Sequence, residues 1–249
     1  SMKIRMKRKL AVVLLICISC HMGWAAQDFV WKSGQNMKVV CDTTEAPVVK
    51  VALDLLKRDC RSVLSGNISR SENTGNIYVG TWGESSVLQA FAETHQLDVA
   101  LLNEHKEAFL LNVLPDGRLI VAGSDKRGTA YGVLELSRMM GVSPWEWWAD
   151  AIPEKKEELR LPAGFRKLDY PQVAYRGIFI NDEDWGLTPW SWKHYEPSER
   201  KGQIGPKTHA RIFELLLRLR ANTFWPAMHG CSIPFFFTEG NKEMADKYA

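Results

Sequence analysis

The sequence predicts an α/β protein in two units. The first is a small N-terminal α/β domain over residues 26–168. The second, residues 169–249, holds the first βα units of a truncated (β/α)8 barrel. Three observations carry this. Short apolar runs of strand length alternate with amphipathic stretches of helical length. A charged stretch, residues 152–160 with Pro162 behind it, interrupts the alternation as a domain boundary would. After Pro171 the order restarts as strand, helix, strand, helix. Two βα units cannot close a barrel and would leave strand edges unpaired, so the sequence is expected to be the N-terminal piece of a longer protein.

The elements follow in order. Residues 37–42 (MKVVCD) are a predicted strand. The helix predicted over residues 47–64 carries Val48, Ala52, Leu55 and Leu56 on one face, and Lys50, Asp54, Lys57, Arg58 and Arg61 on the other. Residues 76–82 (NIYVGTW) read as a buried strand and 85–94 as a short helix. Residues 107–114 and 118–123 are strands around Pro115-Asp116-Gly117, a hairpin signal. The helix predicted over 126–140 spreads Tyr131, Val133, Leu134 and Leu136 widely, which implies deep burial, and Gly141 closes it. In the second unit, residues 173–182 (VAYRGIFIND) are a predicted strand. Pro206, at the first helical position, opens a helix through Arg220 with Ile212, Leu215, Leu216 and Leu219 on its apolar face. Residues 221–225 are a second strand, and 241–248 begin another helix.

The chain's beginning reads as an address. Lys3, Arg5, Lys7, Arg8 and Lys9 precede an apolar run at residues 10–18, and the small residues Gly23 and Ala25 follow. That is a secretory signal peptide over residues 1–25, cut after Ala25, with a run too short to span a bilayer. A secreted or periplasmic protein is expected. A surface lipoprotein anchored at Cys20 is the weaker alternative, because Cys17 and Ile18 fit a lipobox poorly. Cleavage leaves Cys41, Cys60 and Cys231, an odd number. The predicted helix separates Cys41 from Cys60 by roughly 20 Å, far beyond the ~7 Å a disulfide spans, so no structural disulfide is expected.

Composition excludes several classes. Of 249 residues, 45% are hydrophobic and 24% charged, values of a globular chain. Mean hydropathy is −0.22 and no long apolar span exists, which excludes a transmembrane bundle. The formal charge of +3 less the leader's five basic residues leaves −2, a poor match to a nucleic-acid partner. Residues 123–129 (GSDKRGT) place two glycines at P-loop spacing, but Thr129 stands where the loop needs lysine. Dinucleotide, G-x-S-x-G and H-E-x-x-H motifs are missing. His229 and Cys231 lie two apart without a further ligand pair, so neither metal nor cofactor is expected.

Three features bear on function. Asn181, Asp182, Glu183, Asp184 and Trp185 follow the apolar residues 177–180 directly, and strand C-terminal ends form the working face of a (β/α) barrel. The plainer reading is a solvated loop that caps the next helix. Trp225 and His229, at the end of the other strand, fall on the same face; a Trp ring packs on the C–H face of a sugar and a histidine donates to a hydroxyl or carboxylate. Their plainer reading is a core Trp and a satisfied histidine. Finally, Trp145, Trp147, Trp148, Trp185, Trp190, Trp192 and Trp225 are seven of the ten Trp. Interdomain packing is expected for Trp145, Trp147 and Trp148, and ligand proximity mainly for Trp185 and Trp225.

Residues 175–190 (YRGIFINDEDWGLTPW), 204–206 (IGP) and 220–229 (RANTFWPAMH) resemble glycoside hydrolase family 115, the xylan α-glucuronidases. Residues 122–132 (AGSDKRGTAYG) and 143–150 (SPWEWWAD) resemble that family's N-terminal domain. The resemblance implies a small α/β domain, then a (β/α)8 barrel, then further domains, of which this chain holds the first and the start of the second. It implies inverting removal of α-1,2-linked glucuronic acid, or its 4-O-methyl form, from xylan, with the main acid and base beyond Ala249 and Asp182 the candidate within the chain. Carried over as substrate contacts are Asp182 and Trp225, with Asn181 and His229 as neighbours and Arg127, the weaker candidate, reaching for the uronate carboxylate or else capping a helix or pairing within its own domain; Trp185 joins them from the aromatic clustering. The implied partner is glucuronoxylan or its oligosaccharides, with no nucleic acid and no membrane after signal cleavage; a homo-oligomer is compatible with this. Alternatives are a related barrel glycosidase, of another α-glucuronidase or a β-hexosaminidase type, a non-catalytic carbohydrate-binding protein, and a purely structural domain pair.

Overall fold

A computed structural model describes residues 25–95, 97–182 and 184–249. The expected signal peptide lies outside the described residues except for its last, Ala25. In chain order the first unit contains β1 (Phe29–Lys32), β2 (Asn36–Cys41), α1 (Pro47–Leu64), β3 (Asn67–Ser71), β4 (Ile77–Thr81), α2 (Ser86–His95) and α3 (Ala100–Glu104). Then come β5 (Phe109–Val113), β6 (Leu119–Gly123), α4 (Lys126–Met139), β7 (Glu158–Leu161) and β8 (Arg166–Asp169).

Six of these strands form one mixed sheet in the order β3-β2-β4-β6-β5-β8. The four on the β3 side run parallel; β5 is antiparallel to both its neighbours. Helices cover both faces, which is why the central strands read as continuous apolar runs. Val39, Val79, Leu111 and Val121 face a core shared with α1 and α4. Val40, Tyr78, Leu110 and Ile120 face the opposite core with Leu88, Phe91 and Leu102 of α2 and α3. The glycines at P-loop spacing serve close packing. A Cβ on Gly123 would sit 2.0 Å from the Thr129 amide nitrogen, and one on Gly128 2.1 Å from the Ala108 carbonyl oxygen. Asp125 fills the turn between them: it accepts from the Gly128 amide, capping α4, and from the Glu107 amide, both at 2.8 Å. A carboxylate there repels the anion that a P-loop would cradle.

The second unit has β9 (Gly177–Phe179), α5 (Leu187–Trp190) continued by a π-helical turn at Ser191–Tyr195, α6 (Pro206–Arg218), β10 (Thr223–Trp225), a 3-10 turn at Phe235–Phe237 and α7 (Asn241–Tyr248). β9 and β10 are parallel and in register, Gly177 beside Thr223 and Phe179 beside Trp225. Only glycine fits at 177, since a Cβ would meet the Thr223 carbonyl oxygen at 1.8 Å.

Several expectations need correction. The charged stretch 152–160 is not wholly a linker: its end opens β7, which pairs antiparallel with β1, and β8 then completes the large sheet. The ten-residue strand expected at 173–182 shrinks to three residues, and among the described residues it pairs with β10 alone, over those three. The helix expected through Arg220 ends at Arg218, and Arg220 turns the chain with φ 57°. No correction falls on the cysteines: Cys41 and Cys60 are buried free thiols, pushed up by burial to about 12 and about 11, and Cys231 is also free.

Carboxylates of the first unit hold arginines of the second. Arg218 forks onto Asp59 at 2.8 and 3.0 Å and also reaches Glu214, which Arg58 bonds from the first unit. Glu135, with no exposed side-chain surface, takes Arg138, Lys167 and Arg220, and Arg220 also bonds Asp169. Burial raises the Glu135 carboxyl, but these cations outweigh it and hold the group below its ordinary value. Trp147 and Trp148 pack with Trp190 and Tyr195, and the Trp148 indole donates to the Arg211 carbonyl at 3.1 Å. Trp145 is 47% exposed instead of packed.

Candidate functional site

Side-chain alternation sorts β9 and β10 into two faces. Ile178 and Phe224 pack against the apolar stripe of α6, Ile212, Phe213 and Leu216. Gly177, Phe179, Thr223 and Trp225 take the other face, and the rings of Phe179 and Trp225 meet there with centroids 5.0 Å apart. Trp225 is 57% exposed and Phe179 48% within this chain, an aromatic pair on the strand face turned away from α6. The Trp225 indole nitrogen donates to the Met228 sulfur at 3.2 Å.

Where β9 ends, Phe179, Ile180, Asn181, Asp182, Trp185, Gly186 and Leu187 line an open cleft of about 530 Å³. Asn181 and Trp185 are exposed in it; Asp182 is buried. The Asp182 carboxylate accepts from the amides of Asp184 at 3.1 Å and Trp185 at 3.3 Å through one oxygen, and from the Thr188 amide through the other. Burial pushes this carboxyl up, but the bonds from Thr188, Trp185 and Gly186 outweigh it and hold it below the ordinary Asp value. Asp182 is therefore an ionised acceptor that folds the loop and caps α5, not the free acid expected at a strand end. The plainer reading of that loop is the one its geometry supports. Thr188 in turn shares a hydroxyl hydrogen bond with Ser232 at 3.2 Å, which ties the loop after β9 to the loop after β10.

His229 is exposed, with Nδ1 3.5 Å from the Cys231 sulfur; that thiol lies 3.8 Å from the Asp182 carbonyl oxygen. It borders the loops without lining the cleft. Arg127 is elsewhere. It donates from Nε to the Ala249 carbonyl at 2.8 Å, and again from Nη2. It lies beside Asn222 and residues 172–175, where β9 and β10 begin, whereas the cleft lies where β9 ends. Arg127 joins the two units and does not meet the other candidates. Phe179, Thr188 and Ser232 were not anticipated. Phe179 was findable, since it lies two residues before Asn181 on the same strand face. No group of three His, Cys, Asp or Glu side chains able to hold a metal occurs among the described residues. None of the helices described is long and apolar enough to cross a membrane.

The fold matches known proteins. The family model "Glycosyl hydrolase family 115" matches residues 168–249. A solved family GH115 4-O-methyl-α-glucuronidase, BtGH115A, described as having specificity for decorated arabinogalactans, is 60% identical with a TM-score of 0.85. The match covers 88% of this chain and 28% of that one. CpGH84D is alike in fold alone, at 14% identity and TM-score 0.50, over 88% of this chain and 38% of that one. Among curated proteins, none matches. The chain is an α/β protein of glycoside hydrolase type, and it belongs to glycoside hydrolase family 115. It spans little more than a quarter of the length of the GH115 chain it matches.

Proposed function

We propose that β9, α6, β10 and α7 are the opening units of a (β/α)8 barrel. In this reading the protein removes α-1,2-linked glucuronic acid, or its 4-O-methyl form, from polysaccharide side chains by inversion. The observation that carries the reading is the Phe179–Trp225 aromatic surface, at the strand end beside the Asn181–Asp182 cleft, in a chain 60% identical to a 4-O-methyl-α-glucuronidase. The rings would take the C–H face of a sugar and Asn181 its hydroxyls. Xylan is the backbone that the family resemblance implies. The specificity described for BtGH115A favours a second reading, a decorated arabinogalactan. Either would be met in the periplasm or outside the cell if residues 1–25 are an export signal, with the lipoprotein form the weaker alternative.

Inversion needs an acid and a base about 6.5–9.5 Å apart. Among the described residues that line the cleft, Asp182 is the one carboxylate, and its oxygens are already taken. Hence the 249-residue chain by itself is expected to release no glucuronic acid, while a longer polypeptide that contains it does. The test is proton NMR of the sugar released by each from glucuronoxylan and from glucuronate-bearing arabinogalactan. A first-formed β-anomer supports inversion. Release of the α-anomer, or turnover by the short chain, overturns the proposal.

A further inference from the structure

A second groove lies on the first unit, between α1 and the β2–β3 edge of the large sheet, and shares no lining residue with the strand-end cleft. Its volume, about 370 Å³, is in the range of small-molecule sites, roughly 300–1,000 Å³. The floor is apolar: Val39 and Ile68 from the sheet, and Leu53 from the helix. Its rim carries cations whose hydrogen-bonding capacity the protein leaves largely unused. Lys50 and Lys57 lie two turns apart on one face of α1, and their ammonium groups make no hydrogen bond or ion pair among the described residues. Arg70, on β3, donates once, from Nη2 to the Cys41 carbonyl at 3.4 Å, which leaves most of its planar fork free. Asp54 lies between the two lysines in sequence at ion-pairing spacing, yet bonds neither. The groove's other acid, Asp42, is occupied by the Ser86 amide and hydroxyl.

Here three cations and one carboxylate stand open around an apolar floor. That set suits a ligand with an apolar face, a carboxylate for Arg70 and Lys57, and hydroxyls for Asp54. We propose that this groove binds the carboxylate of a uronic-acid sugar, as a site separate from the strand-end cleft. Choosing a uronate over other hydroxy acids rests on the functional reading above. The groove would hold an acidic polysaccharide by its side groups while another part of the molecule works on it.

The test is an amide NMR titration of the 249-residue chain with sodium glucuronate, with a glucuronate-branched xylo-oligosaccharide, and with glucose and sodium acetate as controls. Glucuronate is expected to shift amides at residues 39–42, 50–57 and 68–70 in the roughly millimolar range. Binding should weaken about tenfold in Arg70→Gln and in Lys57→Gln, with melting unchanged. Lys50→Gln serves if either variant melts early. A tighter response to the branched oligosaccharide identifies a polymer as the source, and an equal response the free acid. Three results overturn the proposal: no shift with glucuronate, a response to acetate as strong as that to glucuronate, or binding indifferent to all three substitutions. Failure of the glucuronidase reading would instead show as no glucuronic acid released by the longer polypeptide, with these amides still responding.

Discussion

Replacing Asp182 separates a loop-folding carboxylate from a catalytic one. In Asp182→Ala three amides lose their acceptor. Those of the exposed Asp184 and Trp185 turn to water, so their share is that of a lost cap, about 1 kcal/mol. Thr188 is fully buried, and its orphaned amide costs about 1–3 kcal/mol. The sum, about 2–4 kcal/mol, lowers the melting temperature by roughly 5–15 °C in a chain of this size. Asp182→Asn keeps one acceptor oxygen and loses about half as much. The pH dependence has a definite sign. The folded carboxyl is held below its ordinary value, so its stabilisation is in full above the unfolded value and fades as pH falls through it. The gap between wild type and Asp182→Asn should therefore close below about pH 4. Urea unfolding at several pH values measures the gap, and amide exchange at Thr188 reports the cap directly. A melting temperature within a degree or so of wild type, with Thr188 still protected, would refute the capping argument and restore Asp182 as a free acid.

Three other outcomes follow from the same geometry. Arg218→Met leaves buried Asp59 with only the 3.9 Å contact to Arg58 among the described residues, and should cost about 3–5 kcal/mol in urea unfolding, part of it recovered in Arg218→Met with Asp59→Leu. Burial lowers His209 to about 4, and its Nδ1 lies 3.0 Å from the Gly205 carbonyl oxygen and 3.2 Å from the Asn241 oxygen. The unfolded chain takes up this proton first as pH falls, so about 3 kcal/mol present above pH ~6.5 is lost toward pH ~4, a slope that His209→Gln should flatten. Trp225→Ala removes a ring that is exposed in the 249-residue chain; the melting temperature of that chain should hardly move, while sugar affinity measured by titration in the longer polypeptide falls roughly three- to tenfold. A stability loss of about 3–5 kcal/mol would mark the ring as core instead.

The long helices were legible because periodicity needs no partner. The sequence placed α1 over Pro47–Leu64, where it is found, and α4 and α6 within two residues of their ends. The missed strands β1, β3, β7 and β8 are short, and β3, β7 and β8 mix charged or polar side chains into runs such as NISRS, ELRL and RKLD. Such segments become strands through a long-range neighbour, and β1 with β7 joins residues 29–32 to 158–161. The strand-end position of Asn181, Asp182, Trp185 and Trp225 could be read from an apolar run that stops at polar residues. What Asp182 bonds could not, because its partner Thr188 lies six residues on, across a bend. What Arg127 bonds was illegible for a similar reason: nothing local says that its guanidinium meets a carbonyl 122 residues away.

The first unit has a mechanical part in the site that its distance from the cleft conceals. Glu107, a buried residue held at φ 54°, accepts from Arg176 at 3.0 Å and from the Asn222 amide group at 3.0 Å to each oxygen. Arg176 immediately precedes β9 and Asn222 immediately precedes β10. Burial raises this carboxyl, but Arg176 and Asn222 outweigh it and keep it ionised below its ordinary value, so it stays an acceptor for both. The two residues also bond each other, the Asn222 amide to the Arg176 carbonyl at 2.8 Å and the Arg176 amide to the Asn222 side-chain oxygen at 3.1 Å. One carboxylate of the first unit thus fixes where both strands start. Each strand is three residues long, about 10 Å, so an error at the start is carried undiminished to Phe179 and Trp225 at the end. A parallel pair this short has few ladder bonds to hold its own register. The register is set from outside, by a side chain that sequence order places 70 residues before the first of the two strands.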